Sequence, residues 1–118
     1  MIIVSSGSVR GEERKGGLFE GTVNVETLIS EENGSKEFMA VIVTFSPGAR
    51  TKLHTHDHEQ ILFILRGRGF VGDEREEKEV REGDIVLIPA GERHWHGAAP
   101  DSELSHLAII NSRTKTSY

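Results

Sequence analysis

Cysteine is absent from the 118 residues. No disulfide can staple the fold and no thiolate can hold a metal, so any bound ion must rest on nitrogen and oxygen donors. Long apolar runs are missing as well: no stretch approaches the roughly eighteen residues that a membrane helix needs. The segment Met1 to Gly7 lacks the basic lead and apolar core of a secretory signal, which predicts a soluble, cytoplasmic protein. Positive charge is in the minority, with 14 Lys and Arg against 19 Asp and Glu and a net charge of −5. That balance argues against nucleic-acid binding, which needs basic patches to neutralise phosphates. No window carries a sustained apolar period of 3.6 residues with caps, so no long helix is expected.

What the chain does have is a series of short β-branched and apolar runs separated by glycine-containing turns. Residues 1–5 could form a short edge strand, and Gly7 to Gly17 reads as loop. Thr22 to Ile29 reads as a strand, Asn33-Gly34 as a turn, and Glu37 to Phe45 as the next strand. In that strand Phe38, Ala40 and Ile42 alternate with Met39, Val41, Val43 and Phe45. Both faces are apolar, which predicts cover on both sides, from a second sheet or from a partner subunit. Ile61 to Leu65 is a further apolar run, after which Gly67 and Gly69 bend the chain toward Phe70-Val71. Lys78 to Arg81, Ile85 to Ile88 and Leu104 to Ile110 complete the set. The mixed-charge run Asp73 to Glu79 reads as a solvated hairpin edge. Residues 112–118 read as a mobile tail. One all-β domain over residues 1–118, a sandwich or a barrel, is the expected architecture.

All six histidines lie between positions 54 and 106. His54, His56 and His58 stand in one segment entered through the turn Ser46-Pro47-Gly48. His94 and His96 stand in a second, delivered by the loop Pro89-Ala90-Gly91. Side chains two apart on a strand share a face. His54, His56 and Gln60 are therefore expected on one face, with His58 joining them if no bulge intervenes. Three or four neutral imidazoles on a concave face make a site for a divalent transition metal.

The spacing also resembles a known family. Gly48, His54, His56, Gln60 and Gly67 resemble the first motif of the cupins, and Gly83, Pro89, Gly91 and His94 resemble the second. Motif one has Gln60 where the family usually has glutamate, and motif two ends in Ala98 in place of asparagine. The motifs span residues 48–67 and 83–98. The resemblance implies an antiparallel cupin β-barrel of the jelly-roll, double-stranded β-helix type. It also implies a divalent ion held by His54, His56, Gln60 and His94, with manganese favoured and iron, nickel, cobalt or zinc possible. Glu59 is the alternative carboxylate ligand, but its strand parity aims it away from His56.

Within the family, Gly48-Ala49-Arg50-Thr51, His94-Trp95-His96-Gly97 and Ser105-His106-Leu107 resemble the small cupins related to carboxymuconolactone decarboxylases, which include manganese-dependent hydroxynitrile lyases. The segment Asp57-His58-Glu59 departs from that subgroup. The first motif is also similar to small cupins that process unsaturated uronates. These resemblances imply a lyase, isomerase or decarboxylase acting on a small oxygenated substrate, with His106 and His96 as catalytic acid–base candidates. Trp95, His58 and Arg50 are candidate substrate contacts. An iron-dependent dioxygenase and a non-catalytic sugar- or metabolite-binding protein are the alternatives. A homodimer is expected, with no nucleic-acid or membrane partner.

Overall fold

The computed structural model describes residues 1–5 and 7–118. Eleven strands are present among the described residues: β1 (Glu12–Gly16), β2 (Phe19–Ile29), β3 (Phe38–Phe45), β4 (Arg50–Thr51), β5 (Thr55–His56), β6 (Gln60–Gly72), β7 (Glu77–Arg81), β8 (Ile85–Ile88), β9 (Trp95–Ala98), β10 (Leu104–Asn111) and β11 (Thr116–Ser117). The main sheet runs β1-β2-β3-β10-β6-β9-β4, and β4 pairs back onto β2, so the ribbon closes into a barrel. Every pairing is antiparallel. Helix is confined to one short 3-10 turn at Glu31–Asn33 among the described residues, and none is long and apolar enough to cross a membrane.

Strand alternation builds the interior. Met39, Val41, Val43 and Phe45 of β3 point inward and meet Val23 and Val25 of β2, Ile64 of β6 and Leu104 of β10. Phe45 is fully buried, and placing a side chain of that size out of water stabilises the fold by ~2–3 kcal/mol. The opposite face of β3 is partly exposed among the described residues. Phe38 is 62% exposed, and Ile61, Phe63, Ile85 and Leu87 on the neighbouring strands are exposed as well.

Strand β6 passes through the bend expected at Gly67 and Gly69. It runs for 13 residues without interruption. Its first half pairs with β8 and β10 and its second half with β9 and β7, so one strand serves both sides of the barrel. Gly67 makes the passage possible. Its φ is 83°, and a Cβ there would lie 1.9 Å from the Glu103 carbonyl oxygen. Only glycine tolerates both conditions.

Three local expectations are corrected. Residues 1–5 carry no strand. Glu12–Gly16, expected as loop, is a strand because the free edge of β2 supplies hydrogen-bonding partners, a tertiary effect that overrides weak local propensity. The tail expected to be mobile docks instead: Thr116 and Ser117 pair with His56 and Thr55.

Candidate metal centre

His54 and His94 face each other across an isolated β-bridge, joined by two backbone hydrogen bonds. The His54 N–H donates to the His94 carbonyl at 2.9 Å, and the His94 N–H donates to the His54 carbonyl at 3.0 Å. This bridge, and the β5 position of His56, bring one potential ligand nitrogen from each of His54, His56 and His94 within 4.8 Å of one another. All three residues are buried.

Hydrogen bonding at the outer ring nitrogens decides which atoms are free. His54 Nδ1 lies 2.8 Å from the Lys52 carbonyl oxygen, and His94 Nδ1 lies 2.9 Å from that of Glu92. A carbonyl only accepts, so Nδ1 carries the proton in both rings and Nε2 bears the lone pair. His56 Nδ1 is 2.8 Å from the Thr116 hydroxyl. Within the cluster, His56 Nε2, His94 Nε2 and Gln60 Oε1 are buried without a partner in the protein. Buried polar atoms are normally satisfied. Lone pairs converging without donors are the arrangement that a divalent cation completes, and three imidazoles with a carboxamide oxygen suit manganese, iron, cobalt, nickel or zinc. Glu59, the alternative carboxylate, is exposed on the outer side of the barrel, whereas Gln60 is buried.

His54, His56 and Gln60 of the cluster open on a cavity of about 280 Å³. His54, His56, Gln60, His96 and His106 line it together with apolar side chains that include Phe19, Val25, Met39, Val41, Val43 and Ile110. His96 and His106 form a buried pair: His106 Nε2 lies 3.0 Å from His96 Nδ1, and both rings pack edge-on or tilted against Phe45 at 5.7 and 5.5 Å between ring centres. His96 Nε2 and His106 Nδ1 have no partner. One proton lies between the rings, so whichever ring donates it presents a lone pair at its free nitrogen. The other ring then presents an N–H at its own. The dyad therefore offers one base and one acid, and both residues line the cavity.

Burial governs the protonation of all five histidines. Desolvation brings His54, His56 and His106 down to about 4, and it also lowers His94 and, further, His96. The rings are neutral at pH 7, the state that a metal ligand or a general base requires.

The proposed substrate contacts Arg50, Trp95 and His58 are not brought to this cavity. Arg50 stacks its guanidinium 3.7 Å over the Trp95 ring, because β9 parity turns Trp95 to the side opposite His94 and His96. His58 lies in the bend between β5 and β6, where it pairs with Asp57 at 2.8 Å. That bend breaks the alternation which would have carried it inward. Two residues in the cavity wall were not among the site candidates read from the sequence. Thr51 is fully buried and accepts a hydrogen bond from the His96 N–H at 3.1 Å. Thr116 belongs to the tail, where alternation of Thr114 and Thr116 across Lys115 was the only available sign of a strand.

Comparison with known proteins agrees with this architecture. The cupin domain profile matches residues 41–110. An (R)-mandelonitrile lyase from Granulicella tundricola is 41% identical over 92 residues, covering 77% of this chain and 70% of that protein. An oxalate-binding protein from Thermotoga maritima is 29% identical over 93 residues, covering 77% of each. The crystal structure of a cupin-like protein from the same organism superposes with a TM-score of 0.87 at 37% identity, over 97% of this chain and 88% of that one. With its closed antiparallel barrel, its histidine cluster and this match over more than half its length, the chain belongs to the cupin family.

Proposed function

We propose that the protein is a divalent-metal-dependent lyase that breaks a carbon–carbon bond in a small α-hydroxy compound, with manganese the favoured ion and a cyanohydrin the first substrate to test. The observation that carries this reading is the His96–His106 dyad, a coupled base and acid lining the same cavity as His54, His56 and Gln60 of the metal cluster. Similarity to the mandelonitrile lyase supports the choice of substrate. An ion bound by the cluster supplies Lewis acidity toward a substrate oxygen.

The side chains do the rest. The apolar wall from Phe19 to Ile110 accepts the hydrocarbon part of the substrate and excludes water, which strengthens polar interactions inside. The lone-pair end of the dyad takes the hydroxyl proton. The electrons of the O–H bond form the carbonyl, those of the C–C bond leave with the cyanide, and the N–H end protonates it. As the proton between the rings crosses, neither buried imidazole has to hold a charge.

The test is to load the protein with Mn(II), supply mandelonitrile without oxygen, and follow benzaldehyde. Metal-dependent release is expected. No product above the metal-free control, from mandelonitrile or from a panel of hydroxy acids and uronates, removes the lyase reading. Turnover that appears only when oxygen is admitted to the iron-loaded protein favours a dioxygenase.

We also propose that the chain pairs with a second copy. Eight outward side chains on four adjacent strands are apolar: Ile85 and Leu87 on β8, Ile61 and Phe63 on β6, Leu107 and Ile109 on β10, and Ala40 and Ile42 on β3. Ile85 and Leu87 are 69% and 60% exposed. A contiguous uncharged face of this kind marks an interface, and a two-fold axis lets one patch cover itself. Sedimentation at micromolar concentration is expected to show a dimer; a monomer would contradict the pairing.

A further inference from the structure

We propose that Thr116 is a positioning residue of the metal centre: its hydroxyl holds the His56 ring with Nε2 toward the other ligands, which makes the C-terminal strand part of the site. The inference rests on the metal-centre reading above and adds a residue that neither motif contains.

The three histidines are oriented in two different ways. His54 and His94 each lean on a carbonyl two residues earlier in their own segment, that of Lys52 and that of Glu92. Those supports are local and exist wherever the segment is folded. His56 has no such support. Its Nδ1 meets the Thr116 hydroxyl at 2.8 Å, sixty residues away in sequence. The contact depends on strand register, because Thr116 is the residue directly opposite His56 in the β5–β11 pair. A hydroxyl that accepts from Nδ1–H leaves the lone pair on Nε2, the form a metal takes.

The tail is fastened to the same short segment. One carboxylate oxygen of Asp57 accepts from the Lys115 N–H at 2.8 Å and from the Thr114 hydroxyl at 3.0 Å, and the Asp57 N–H donates to the Lys115 carbonyl at 3.2 Å. Thr114 and Thr116 both line the cavity. Docking of the tail and orientation of His56 are therefore one event. Whatever affinity the ion gains from the docked tail, the docked tail gains from the ion, since coupling between two bound groups is reciprocal.

The experiment compares wild type with Thr116→Val, Thr116→Ser and Ser117→Ala. Valine keeps the shape and removes the acceptor; serine keeps the acceptor; Ser117→Ala perturbs the same strand beside the contact. Mn(II) affinity is read from the loss of the free-ion paramagnetic resonance signal. Tail docking is read from tryptic cleavage after the exposed Arg113 and Lys115, with and without Mn(II). Thr116→Val is expected to weaken Mn(II) binding by about tenfold, the low end of what an outer hydrogen-bond partner of a ligand contributes. It should also abolish the protection that Mn(II) gives the tail. Thr116→Ser and Ser117→Ala should stay within about threefold of wild type, a spread below the low end of that range. The proposal is overturned if Thr116→Val binds as wild type, or if the three variants weaken alike, which would implicate the strand and not the hydroxyl. Wild-type protein that takes up no Mn(II) would instead bring down the metal reading itself, and this inference with it.

Discussion

Replacing His96 and His106 together by glutamine is expected to lower kcat by a factor of 10² to 10⁴, the range over which positioned acid–base groups contribute, while Mn(II) affinity changes little. Neither residue belongs to the His54, His56 and His94 cluster. Each single variant should lose nearly as much as the double. The two rings share one proton at 3.0 Å, and removing either ring leaves no path between the lone-pair end and the N–H end. Residues that act as a unit are not additive in this way. Independent roles would instead give losses that multiply. Full turnover by the double variant on a substrate that the wild type converts would remove the acid–base assignment. Glutamine fills much of the imidazole volume, and thermal unfolding of the metal-free variants shows whether a lost rate is a lost fold.

The second large effect is on stability against acid. His54, His56 and His106 titrate near pH 4 in the folded protein because burial disfavours their charged forms, against about 6.5 in an unfolded chain. Between those values the unfolded state binds protons that the folded state refuses, so stability falls as the pH is lowered. The loss begins near pH 6.5 and is complete below the folded values. At pH 5 each of these histidines removes on the order of 2 kcal/mol. Three together approach the whole stability of a domain of this size, about 5–15 kcal/mol. Metal-free protein is therefore expected to unfold between about pH 6 and 4. Mn(II) at a hundred times its dissociation constant adds about 2.7 kcal/mol to the folded state, which moves the midpoint to lower pH. Chemical denaturation followed along a pH series measures both. A stability that is flat from pH 7 to 4 in the metal-free protein would contradict the buried, neutral histidine cluster.

Much of this was legible in the residues. The all-β class follows from short apolar runs such as Phe38 to Phe45 and Leu104 to Ile110 between glycine turns, and the closed barrel from the resemblance of the histidine motifs to the cupins. Parity also placed Gln60 inward and Glu59 outward, and sent Trp95 away from His94. Parity fails where a strand stops. His58 shares the numbering period of His54 and His56, yet the chain bends at 57–58 and restarts at Gln60, so its ring ends on the outside beside Asp57. Arg50 shows a different limit. A lone guanidinium near a motif suggests an anion, but the neighbour it finds is the face of Trp95, a contact set by the pairing of β4 with β9. The tail was unreadable for a third reason. Only the terminal Tyr118 is apolar in residues 112–118, and what docks them is a set of hydrogen bonds to Asp57 and His56 that only the folded barrel brings within reach. Strand β1 belongs to the same class, an acidic and basic ribbon held by a neighbour's spare backbone groups.

The reciprocal backbone bridge between His54 and His94 has a consequence for supply. Because backbone hydrogen bonds clasp the His54 and His94 segments together, the placement of these two imidazoles does not depend on an ion. A receptacle made in advance from neutral imidazoles and an amide discriminates poorly among first-row divalent ions of similar size. Which of them such a site would take is then decided by what the surroundings provide.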